Sequence, residues 1–307
     1  MKILIAGGAG FLGSYLAERL IQDKHQLCIL DNFASGLKSN LENIEEKISI
    51  IEDDVTSYRS SDHYEVVINF ASRASRVEWE TYPVDVALSN ALGSKNLIEV
   101  ALRSDALYVY ASSSEVYGNP TLVPTPEDYI GSVSTTGSRS PYDEGKRFGD
   151  ALTKAYERQY GLKCIILRFF NTYGPRMRGG NFYGRVVDRF VQQAINNEPL
   201  TIYGDGKQTR SFTYVQDTIE GVITAIHKGK IGEIYNIGND EEITILELAK
   251  IVKSLTDSDS EVVFGELPEN DPKRRAADIT KMRKLGWSPK TSIEEGISKV
   301  IKSKLKG

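Results

Sequence analysis

A glycine-rich turn directly after an apolar run at the start of the chain is the feature that most limits its fold. Lys2–Ala6 is a short apolar run of the kind that forms a buried strand in a parallel sheet. Gly7, Gly10 and Gly13 follow at three-residue spacing, and the apolar residues of Ser14–Ile21 recur with helical periodicity. Such glycines let the backbone approach a pyrophosphate at a helix N-terminus, where free N–H groups and the helix dipole favour anions. The pattern therefore predicts a dinucleotide-binding turn of the Rossmann type.

A carboxylate after the second apolar run indicates which dinucleotide binds. Gln26–Leu30 ends at Asp31, about 20 residues after the glycine turn, where a carboxylate accepts both ribose hydroxyls and repels a 2′-phosphate. Asp31 therefore favours NAD over NADP, although an Asp that caps a turn is the structural alternative. We predict that NAD also contacts the turn and the residues after the next strands, namely Gly7, Gly10, Phe11, Leu12, Gly13, Asn32, Asp54, Val55, Phe70, Ala71 and Ser72.

Tyr142 and Lys146 form the second informative pattern. They lie in a helix that we predict for Ser140–Tyr160, and residues four apart on a helix share one face. A free tyrosine has a pKa of about 10, and a nearby cation together with the positive ring of oxidised nicotinamide favours its phenolate. The pair is therefore predicted to contact NAD and to transfer a proton in sugar or alcohol redox chemistry. A helix with one buried Tyr and one solvated Lys is the structural alternative.

Composition excludes several other classes of protein. A hydrophobic content of 40% and a charged content of 26% are ordinary for a soluble globular chain of 307 residues. The net charge of −4 gives no reason to expect nucleic acid as a partner. Cys28 and Cys164 are expected to be buried free thiols, and three scattered histidines make a metal site improbable. The first strand starts at the N-terminus and no apolar stretch reaches membrane length, so we expect no signal peptide, no membrane contact and a cytoplasmic location.

Alternating strand and helix patterns predict an α/β fold with a Rossmann-type doubly wound parallel sheet and a smaller C-terminal substrate-binding domain. Residues 1–174 are predicted to form the NAD-binding domain, with a return segment near 212–240, and residues 175–307 the substrate-binding domain. The remaining strands of the sheet are predicted at Lys47–Ile51, Val66–Phe70, Leu107–Ala111, Cys164–Phe169 and Glu233–Ile237. The remaining elements are helices at Val84–Leu102, Arg185–Asn196 and Ile245–Leu255, a short strand at Leu200–Tyr203 and a polar loop at Glu266–Asp278.

A set of motifs in a fixed order carries a resemblance to a known family. The motifs are Gly7–Gly13, Asp31-Asn32, Ser112–Pro120, Tyr142–Arg147, Arg168–Arg176, Tyr203–Phe212, Asp271–Arg275 and Leu285–Pro289. Through them, nearly the whole chain resembles the extended short-chain dehydrogenase/reductase family (NAD-dependent epimerase/dehydratases), and within it the UDP-glucuronate decarboxylases, or UDP-xylose synthases. The resemblance implies NAD as cofactor, a UDP-sugar as substrate, and a homodimer formed through the two long helices.

The resemblance also implies roles for individual residues. Tyr142 takes the proton of a sugar 4-hydroxyl, and Ser113 hydrogen-bonds the same hydroxyl. Glu115 is implied to distort the sugar carboxylate or to manage protons at C5, with a purely structural role in the loop as the alternative. Arg275 is implied to lie near the carboxylate or the diphosphate, and Arg274 is an alternative for this role. The implied substrate-binding residues are Ser114, Asn171, Arg185, Tyr203, Gln208, Arg210 and Arg275.

Two departures from the family pattern leave the sugar open. Arg73 and Arg76 stand where the decarboxylases usually have prolines. Three functions therefore remain: a UDP-glucuronate decarboxylase, a 4-epimerase acting on UDP-glucose or UDP-glucuronate, and a non-catalytic NAD sensor. The presence of Ser113, Tyr142 and Lys146 argues against the sensor, because a sensor needs only the residues that bind the cofactor.

Overall fold

The structure is a computed structural model that describes residues 1–177, 185–266 and 273–305. Its strands are β1 (Lys2–Ala6), β2 (Gln26–Leu30), β3 (Ile48–Ile51), β4 (Val66–Asn69), β5 (Leu107–Ser113), β6 (Cys164–Phe169), β7 (Thr172–Tyr173), β8 (Leu200–Tyr203), β9 (Thr209–Ser211), β10 (Thr213–Tyr214), β11 (Ile234–Ile237), β12 (Glu242–Thr244), β13 (Val262–Gly265) and β14 (Arg274–Arg275). Its α-helices are α1 (Phe11–Gln22), α2 (Arg76–Thr81), α3 (Pro83–Leu88), α4 (Ser94–Ser104), α5 (Ser140–Tyr160), α6 (Val186–Ile195), α7 (Val215–Lys228), α8 (Ile245–Thr256), α9 (Thr280–Lys284) and α10 (Ile293–Lys304). Shorter helical segments are the 3-10 turns Lys38–Lys47 and Ser114–Tyr117 and the π-helical turn Ser89–Gly93.

The main sheet has seven strands in the order β11-β6-β5-β4-β1-β2-β3. The pairs from β6 across to β3 are all parallel. Their inner residues are almost completely buried, as a parallel sheet covered on both faces requires. The strand order reverses between β1 and β4, and ligands of such sheets bind outside the carboxyl ends of the strands at this place. The predicted Rossmann-type doubly wound sheet is confirmed, including the strand near Glu233–Ile237.

The chain folds into two compact units. The first comprises Met1–Val116, Val133–Phe169 and Ile219–Tyr235, and the second comprises Tyr117–Ser132, Phe170–Thr218 and Asn236–Gly307. In the second unit, β12, β9 and β14 form a small sheet, and helices α6, α8 and α10 pack on one another. The functional division predicted from the sequence, 1–174 and 175–307, stays a prediction.

The polar segment predicted as a loop at Glu266–Asp278 contains a strand. Its residues 267–272 lie outside the described part of the chain, whereas Arg274–Arg275 forms β14 beside β9. The next two residues, Ala276 and Ala277, are fully buried. Pairing with β9 provides hydrogen-bond partners for the backbone of β14. Hydropathy describes side chains and not backbone pairing, so the polar composition of this segment did not indicate a strand.

Helix α5 lies unusually close to strand β5. The helix ends at Gly161, whose left-handed φ of +69° is the conformation glycine adopts at many helix ends. Its buried face includes Tyr142, Lys146 and Gly149. A Cβ atom at Gly149 would lie only 2.0 Å from the hydroxyl oxygen of Tyr110 on β5. The absence of a side chain at this position therefore sets the distance between the helix and the sheet.

The helix predicted at Val84–Leu102 is present in three consecutive parts. Helix α3 passes into the π-helical turn Ser89–Gly93, which continues as α4. A Cβ at Gly93 would lie 2.7 Å from Cγ2 of Val55, so the turn brings the backbone close to the segment after β3. Within the described parts of the chain, no helix combines the length and the apolar character needed to span a membrane.

We expect Gly149→Ala to destabilise the protein by about 1–3 kcal/mol, because the added methyl group forces α5 away from Tyr110. Gly145→Ala on the same helix is the matched control, since its Cβ would lie 3.1 Å or more from the side chain of Asn90. Both substitutions gain the same helix propensity, about 1 kcal/mol. Urea titrations should show a clearly lower free energy of unfolding for Gly149→Ala than for Gly145→Ala, and equal values would contradict the packing argument.

Candidate active site

The glycine turn has the close contacts that its sequence predicted. Gly7 has a φ of +77°, and a Cβ atom there would lie 2.7 Å from the carbonyl carbon of Phe70. A Cβ atom at Gly13 would lie 2.2 Å from the carbonyl oxygen of Gly7. Larger residues at either position would push apart the turn, the start of α1 and the end of β4. The N-terminus of α1, with Gly10 as N-cap, is thereby held at the carboxyl edge of the sheet.

A cleft at this edge is lined by many of the residues predicted to contact the cofactor. They are Gly7, Gly10, Asp31, Asn32, Asp54, Val55, Phe70, Ala71 and Ser72. The predicted residues Phe11, Leu12, Gly13, Tyr142 and Lys146 do not line this cleft. Arg73 does line it, although the sequence assigned Arg73 no part in cofactor binding.

Asp31 caps the neighbouring turns and lies in the cleft, whereas its predicted contact with the ribose stays a prediction. Its carboxylate accepts hydrogen bonds from the backbone N–H groups of Ala9 and Phe33, both at 2.9 Å. Burial raises the pKa of Asp31, and these two hydrogen bonds oppose the rise. Each oxygen keeps a second lone pair for a ribose hydroxyl. Asn32 donates to the carboxylate of Asp54 at 2.7 Å, which ties together two neighbouring predicted residues. The glycine turn, the helix N-terminus and this carboxylate together fit the pyrophosphate and the adenosine ribose of NAD.

Lys146 is buried and fixed by a hydrogen bond to the sheet. Its ammonium nitrogen donates to the carbonyl oxygen of Ala111 on β5 at 2.8 Å and lies 5.8 Å from the centre of the Tyr142 ring. Burial lowers the pKa of Lys146 to about 7, and the carboxylate of Asp150 opposes this shift. Asp150 is itself held by Arg168, whose Nε and Nη2 donate to it at 3.0 Å and 2.9 Å. The predicted proximity of cation and phenol is thus present, with a buried ion pair one helical turn behind it.

The turn after β5 carries the second set of predicted catalytic residues. The hydroxyl of Ser113 accepts the backbone N–H of Glu115 at 3.2 Å, and Ser114 between them is buried. The carboxylate of Glu115 forms an ion pair with Arg139, whose Nε also lies 3.4 Å from Asp143. Burial alone would lower the pKa of Arg139, but the carboxylates of Glu115 and Asp143 have the larger combined effect, so the pKa is raised. The sequence reasoning missed Arg139; its position one helical turn before Tyr142 was the available signal.

An indole ring covers Tyr142. Trp79 on α2 stacks on Tyr142 with ring centres 4.5 Å apart and an interplanar angle of 16°. Its Nε1 donates to the carbonyl oxygen of Arg73 at 3.1 Å. The guanidinium of Arg139 lies 5.2 Å from the centre of the Trp79 ring. No sequence motif marks this contact, because it depends on how α2 folds back onto the start of α5.

The two arginines that depart from the family pattern lie in different surroundings. Arg73 lines the cofactor cleft, forms an ion pair with Glu78 at 3.4 Å and lies over the ring of Tyr82 at 4.4 Å. Arg76 instead pairs with Glu80 along helix α2 at 2.8 Å. Of the two, Arg73 is the one whose position can influence ligand binding in the cleft.

The remaining predicted substrate-binding residues belong to the second unit. Arg210 on β9 and Arg275 on β14 are direct neighbours in the strand register, and both are buried. Arg274 is exposed and donates to Glu242 at 3.1 Å, so Arg275 is the arginine that faces inward. Two adjacent buried guanidinium groups form a strongly cationic feature that suits a diphosphate or a carboxylate.

Three further predicted residues of this unit hold backbone groups or stack. Gln208 donates to the carbonyl oxygen of Tyr203 at 2.6 Å, and Asn171 donates to that of Ser211 at 3.1 Å. The guanidinium of Arg189 lies over the ring of Tyr203, 4.8 Å from its centre. Arg185 is exposed and immediately precedes α6. Among the described residues of the whole chain, no group of three or more His, Cys, Asp or Glu side chains could hold a metal ion.

We expect Lys146→Met to change how stability depends on pH. Below about pH 7 the folded wild-type protein must bury an ammonium group; as pH rises from about 7 to 10.5, the folded state releases this proton while the unfolded chain retains it. The free energy of unfolding of the wild type should therefore rise relative to the variant by at most about 1.4 kcal/mol per pH unit. Urea titrations of the nucleotide-free proteins across this range measure the difference, and a difference that does not vary with pH would contradict the burial of this amine.

Comparison with known proteins identifies the relatives of this chain. A sequence model of the NAD dependent epimerase/dehydratase family matches residues 3–238. UDP-glucuronic acid decarboxylase 1 of Danio rerio is 41% identical over 305 residues, which cover 98% of this chain and 72% of that protein. UDP-glucuronic acid decarboxylase 1 of Arabidopsis thaliana is 40% identical over 304 residues, which cover 98% of this chain and 69% of that protein.

Solved structures with the same fold include two epimerases. The UDP-glucose 4-epimerase of Thermotoga maritima is 30% identical with a TM-score of 0.90, and the match covers 100% of this chain and 99% of that one. The UDP-glucuronic acid 4-epimerase of Bacillus cereus, solved with UDP-glucuronic acid and NAD, is 28% identical with a TM-score of 0.88 and the same coverage.

Proposed function

The chain belongs to the NAD dependent epimerase/dehydratase family, and we propose that it converts UDP-glucuronate to UDP-xylose by decarboxylation with NAD as cofactor. The observation that carries the proposal is the identity of about 40% to UDP-glucuronic acid decarboxylases over nearly the whole chain. The geometry of the first unit supports it, because that unit contains a cleft whose lining fits NAD and also holds Ser113, Glu115, Tyr142 and Lys146 at the end of β5 and on the buried face of α5.

In this reaction Tyr142 accepts the proton of the sugar 4-hydroxyl, and Ser113 hydrogen-bonds the same oxygen. NAD held by the glycine turn and Asp31 would supply reversible hydride transfer at C4: the hydride would leave C4 when the ketone forms and return to C4 at the end, with no net redox change. The ammonium of Lys146, fixed on Ala111, favours the phenolate of Tyr142 when it is charged. Once C4 is a ketone, the C5 carboxylate belongs to a β-keto acid and leaves as CO2. Loss of CO2 leaves an enolate, and its C5 must receive a proton. Glu115, held by Arg139, takes part in this proton transfer.

Anion binding is assigned to the paired arginines of the second unit. Arg210 and Arg275 would bind the diphosphate or the sugar carboxylate through charge-assisted hydrogen bonds. Ser114, Asn171, Arg185, Tyr203 and Gln208 are proposed as further substrate contacts, as the sequence implied.

A 4-epimerase that acts on a UDP-sugar is the second candidate. The similarity to the Bacillus cereus UDP-glucuronic acid 4-epimerase favours it, because that enzyme works on the same sugar acid without losing CO2. The two reactions share Tyr142, Lys146 and the 4-keto sugar, and they diverge at C5. The surroundings of Glu115 are therefore where the two functions would differ.

Incubation of the purified protein with UDP-glucuronate and NAD, followed by mass spectrometry of the nucleotide sugars, tests the proposal. We expect loss of CO2 and appearance of a UDP-pentose. Tyr142→Phe should lower turnover by about 100-fold or more, because it removes the general base, while NAD still binds. A product of unchanged mass with a new retention time would establish the epimerase instead. No reaction with this sugar, but turnover of UDP-glucose, would assign the sugar preference to the surroundings of Arg73.

We further propose that two copies of the chain associate through α3, the π-helical turn, α4 and α5. Helices α3 and α5 pack on each other, and several apolar side chains of this region are exposed. Among them are Val84, Leu88, Leu92 and Phe148. Exposed apolar residues grouped in this way are typical of a surface that a second subunit covers. The cytoplasmic location predicted from the sequence stays a prediction.

Val84→Glu combined with Leu92→Glu should convert a dimer into a monomer, because each carboxylate would lose its hydration in the interface. Ile231→Glu is the matched control, since Ile231 is exposed to a similar degree but lies outside these helices. Sedimentation velocity of the three proteins measures the change. A wild-type protein that sediments as a monomer, or a double variant that remains a dimer, would refute this interface.

A further inference from the structure

Two side chains outside the predicted catalytic set connect two residues inside it. Glu115 forms an ion pair with Arg139, and the guanidinium of Arg139 lies 5.2 Å from the centre of the Trp79 ring. Trp79 in turn stacks on Tyr142 at 4.5 Å with nearly parallel planes. The four residues form one continuous series of contacts within the first unit. Glu115 and Tyr142, which are proposed to act at neighbouring carbons of the sugar, are its two ends.

Both connecting side chains are held in place by contacts of their own. Trp79 is only 7% exposed, and its indole N–H donates to the carbonyl oxygen of Arg73 at 3.1 Å. It packs with Tyr142 and the fully buried Val86 in a small apolar cluster. Arg139 is held from a second side by Asp143 on α5. A stacked ring locked by packing and by a hydrogen bond restricts its neighbour more strongly than a mobile surface residue can.

We propose that Trp79 and Arg139 are positioning residues, with Trp79 setting the orientation of the Tyr142 ring and Arg139 setting that of the Glu115 carboxylate. The chemical consequence rests on the proposed function: Tyr142 takes the proton of the 4-hydroxyl, and Glu115 handles the proton at C5. Because one series of contacts holds both groups, the two proton transfers occur at a fixed separation. A displacement of about 1 Å in such a group can lower a rate by about 100-fold.

The charges in this region give Arg139 a second effect on Tyr142. Charged groups in this region include Lys146 and Asp150 on α5, Asp143 and Arg139 at the start of α5, and Glu115 after β5. Arg168 is paired with Asp150, and Glu78 on α2 is paired with Arg73. Ionisation of Tyr142 adds a negative charge to a region that already contains several carboxylates. Without Arg139, Glu115 and Asp143 lose the cation they share, so the phenolate becomes less favourable. Removal of Trp79 exposes the Tyr142 ring and allows it to rotate.

The experiment compares Trp79→Leu and Trp79→Phe with Arg139→Met and Arg139→Lys. Val77→Ala is the matched control on α2, since Val77 is exposed and belongs to neither the series of contacts nor the cleft. The first readout is the tyrosinate absorbance of each protein as a function of pH, taken as the difference from the same protein carrying Tyr142→Phe. The second is kcat and KM for UDP-glucuronate. Circular dichroism and thermal melting identify variants that do not fold.

We expect Arg139→Met to raise the pKa of Tyr142 by about 1 unit, and Trp79→Leu to lower it, because exposure of the ring to water favours the phenolate. Each substitution should lower kcat by about 10- to 100-fold, with a smaller change in KM. Trp79→Phe and Arg139→Lys should restore most of both values, and Val77→Ala should match the wild type. If Trp79→Leu does not fold, Trp79→Phe and Arg139→Met test the proposal instead. The smaller ring in Trp79→Phe should change the pKa of Tyr142 in the same direction as Trp79→Leu, but by less.

An unchanged Tyr142 titration in the folded variants, together with a wild-type kcat, would overturn the proposal. A fall in thermal stability with both values unchanged would also overturn it, because it would reduce the two residues to a structural role. The titration needs no substrate. If the wild-type protein does not turn over UDP-glucuronate, the proposed function fails, whereas the titration still decides whether Trp79 and Arg139 position Tyr142.

Discussion

The close packing of helix α5 on strand β5 is the interaction on which the rest of the catalytic region depends. Gly149 removes the side chain that would otherwise hold the helix away from Tyr110, and one turn earlier the Lys146 ammonium reaches the Ala111 carbonyl oxygen. At this distance Lys146 has no access to bulk water, which lowers its pKa to about 7. The same packing places Tyr142 at the end of the buried face of the helix. A longer distance between helix and sheet would hydrate the lysine and weaken its influence on the phenol.

Three carboxylates around α5, those of Glu115, Asp143 and Asp150, are each paired with an arginine. Arg168 balances Asp150, and Arg139 balances both Glu115 and Asp143. Breaking a buried pair from one side typically costs about 3–5 kcal/mol, so these pairs hold their side chains in defined positions even where they add little net stability. The residues proposed to act on the sugar and those proposed to position them therefore lie together in the first unit. The carboxylate of Glu115 is already paired with Arg139 in the absence of substrate. A decarboxylase and an epimerase would differ in how this ion pair affects the reaction at C5 of the sugar.

The core of the sheet and the principal chemical groups could be predicted from the sequence, whereas their connections could not. Buried parallel strands are continuous apolar runs, and the glycine turn and the Tyr–Lys pair are local patterns that spacing alone reveals. The ends of elements were less certain: β5 continues to Ser113 because its backbone pairs with β6 there. Trp79 and Arg139 escaped notice because their contacts join segments far apart in the chain.

By itself, the sequence determined the fold class and the preference for NAD, and it predicted Tyr142 and Lys146 as a proton-transfer pair. Each of these depends on residues within one turn, one helix or one strand and the residue that follows it. The tertiary structure decided which of two adjacent arginines is buried, since strand pairing with β9 turns Arg275 inward and leaves Arg274 with Glu242. It also decided that Glu115 is bound by Arg139 and that Tyr142 lies under Trp79. Those contacts arise only when α2, the turn after β5 and the start of α5 come together, and no local pattern in the chain encodes that meeting.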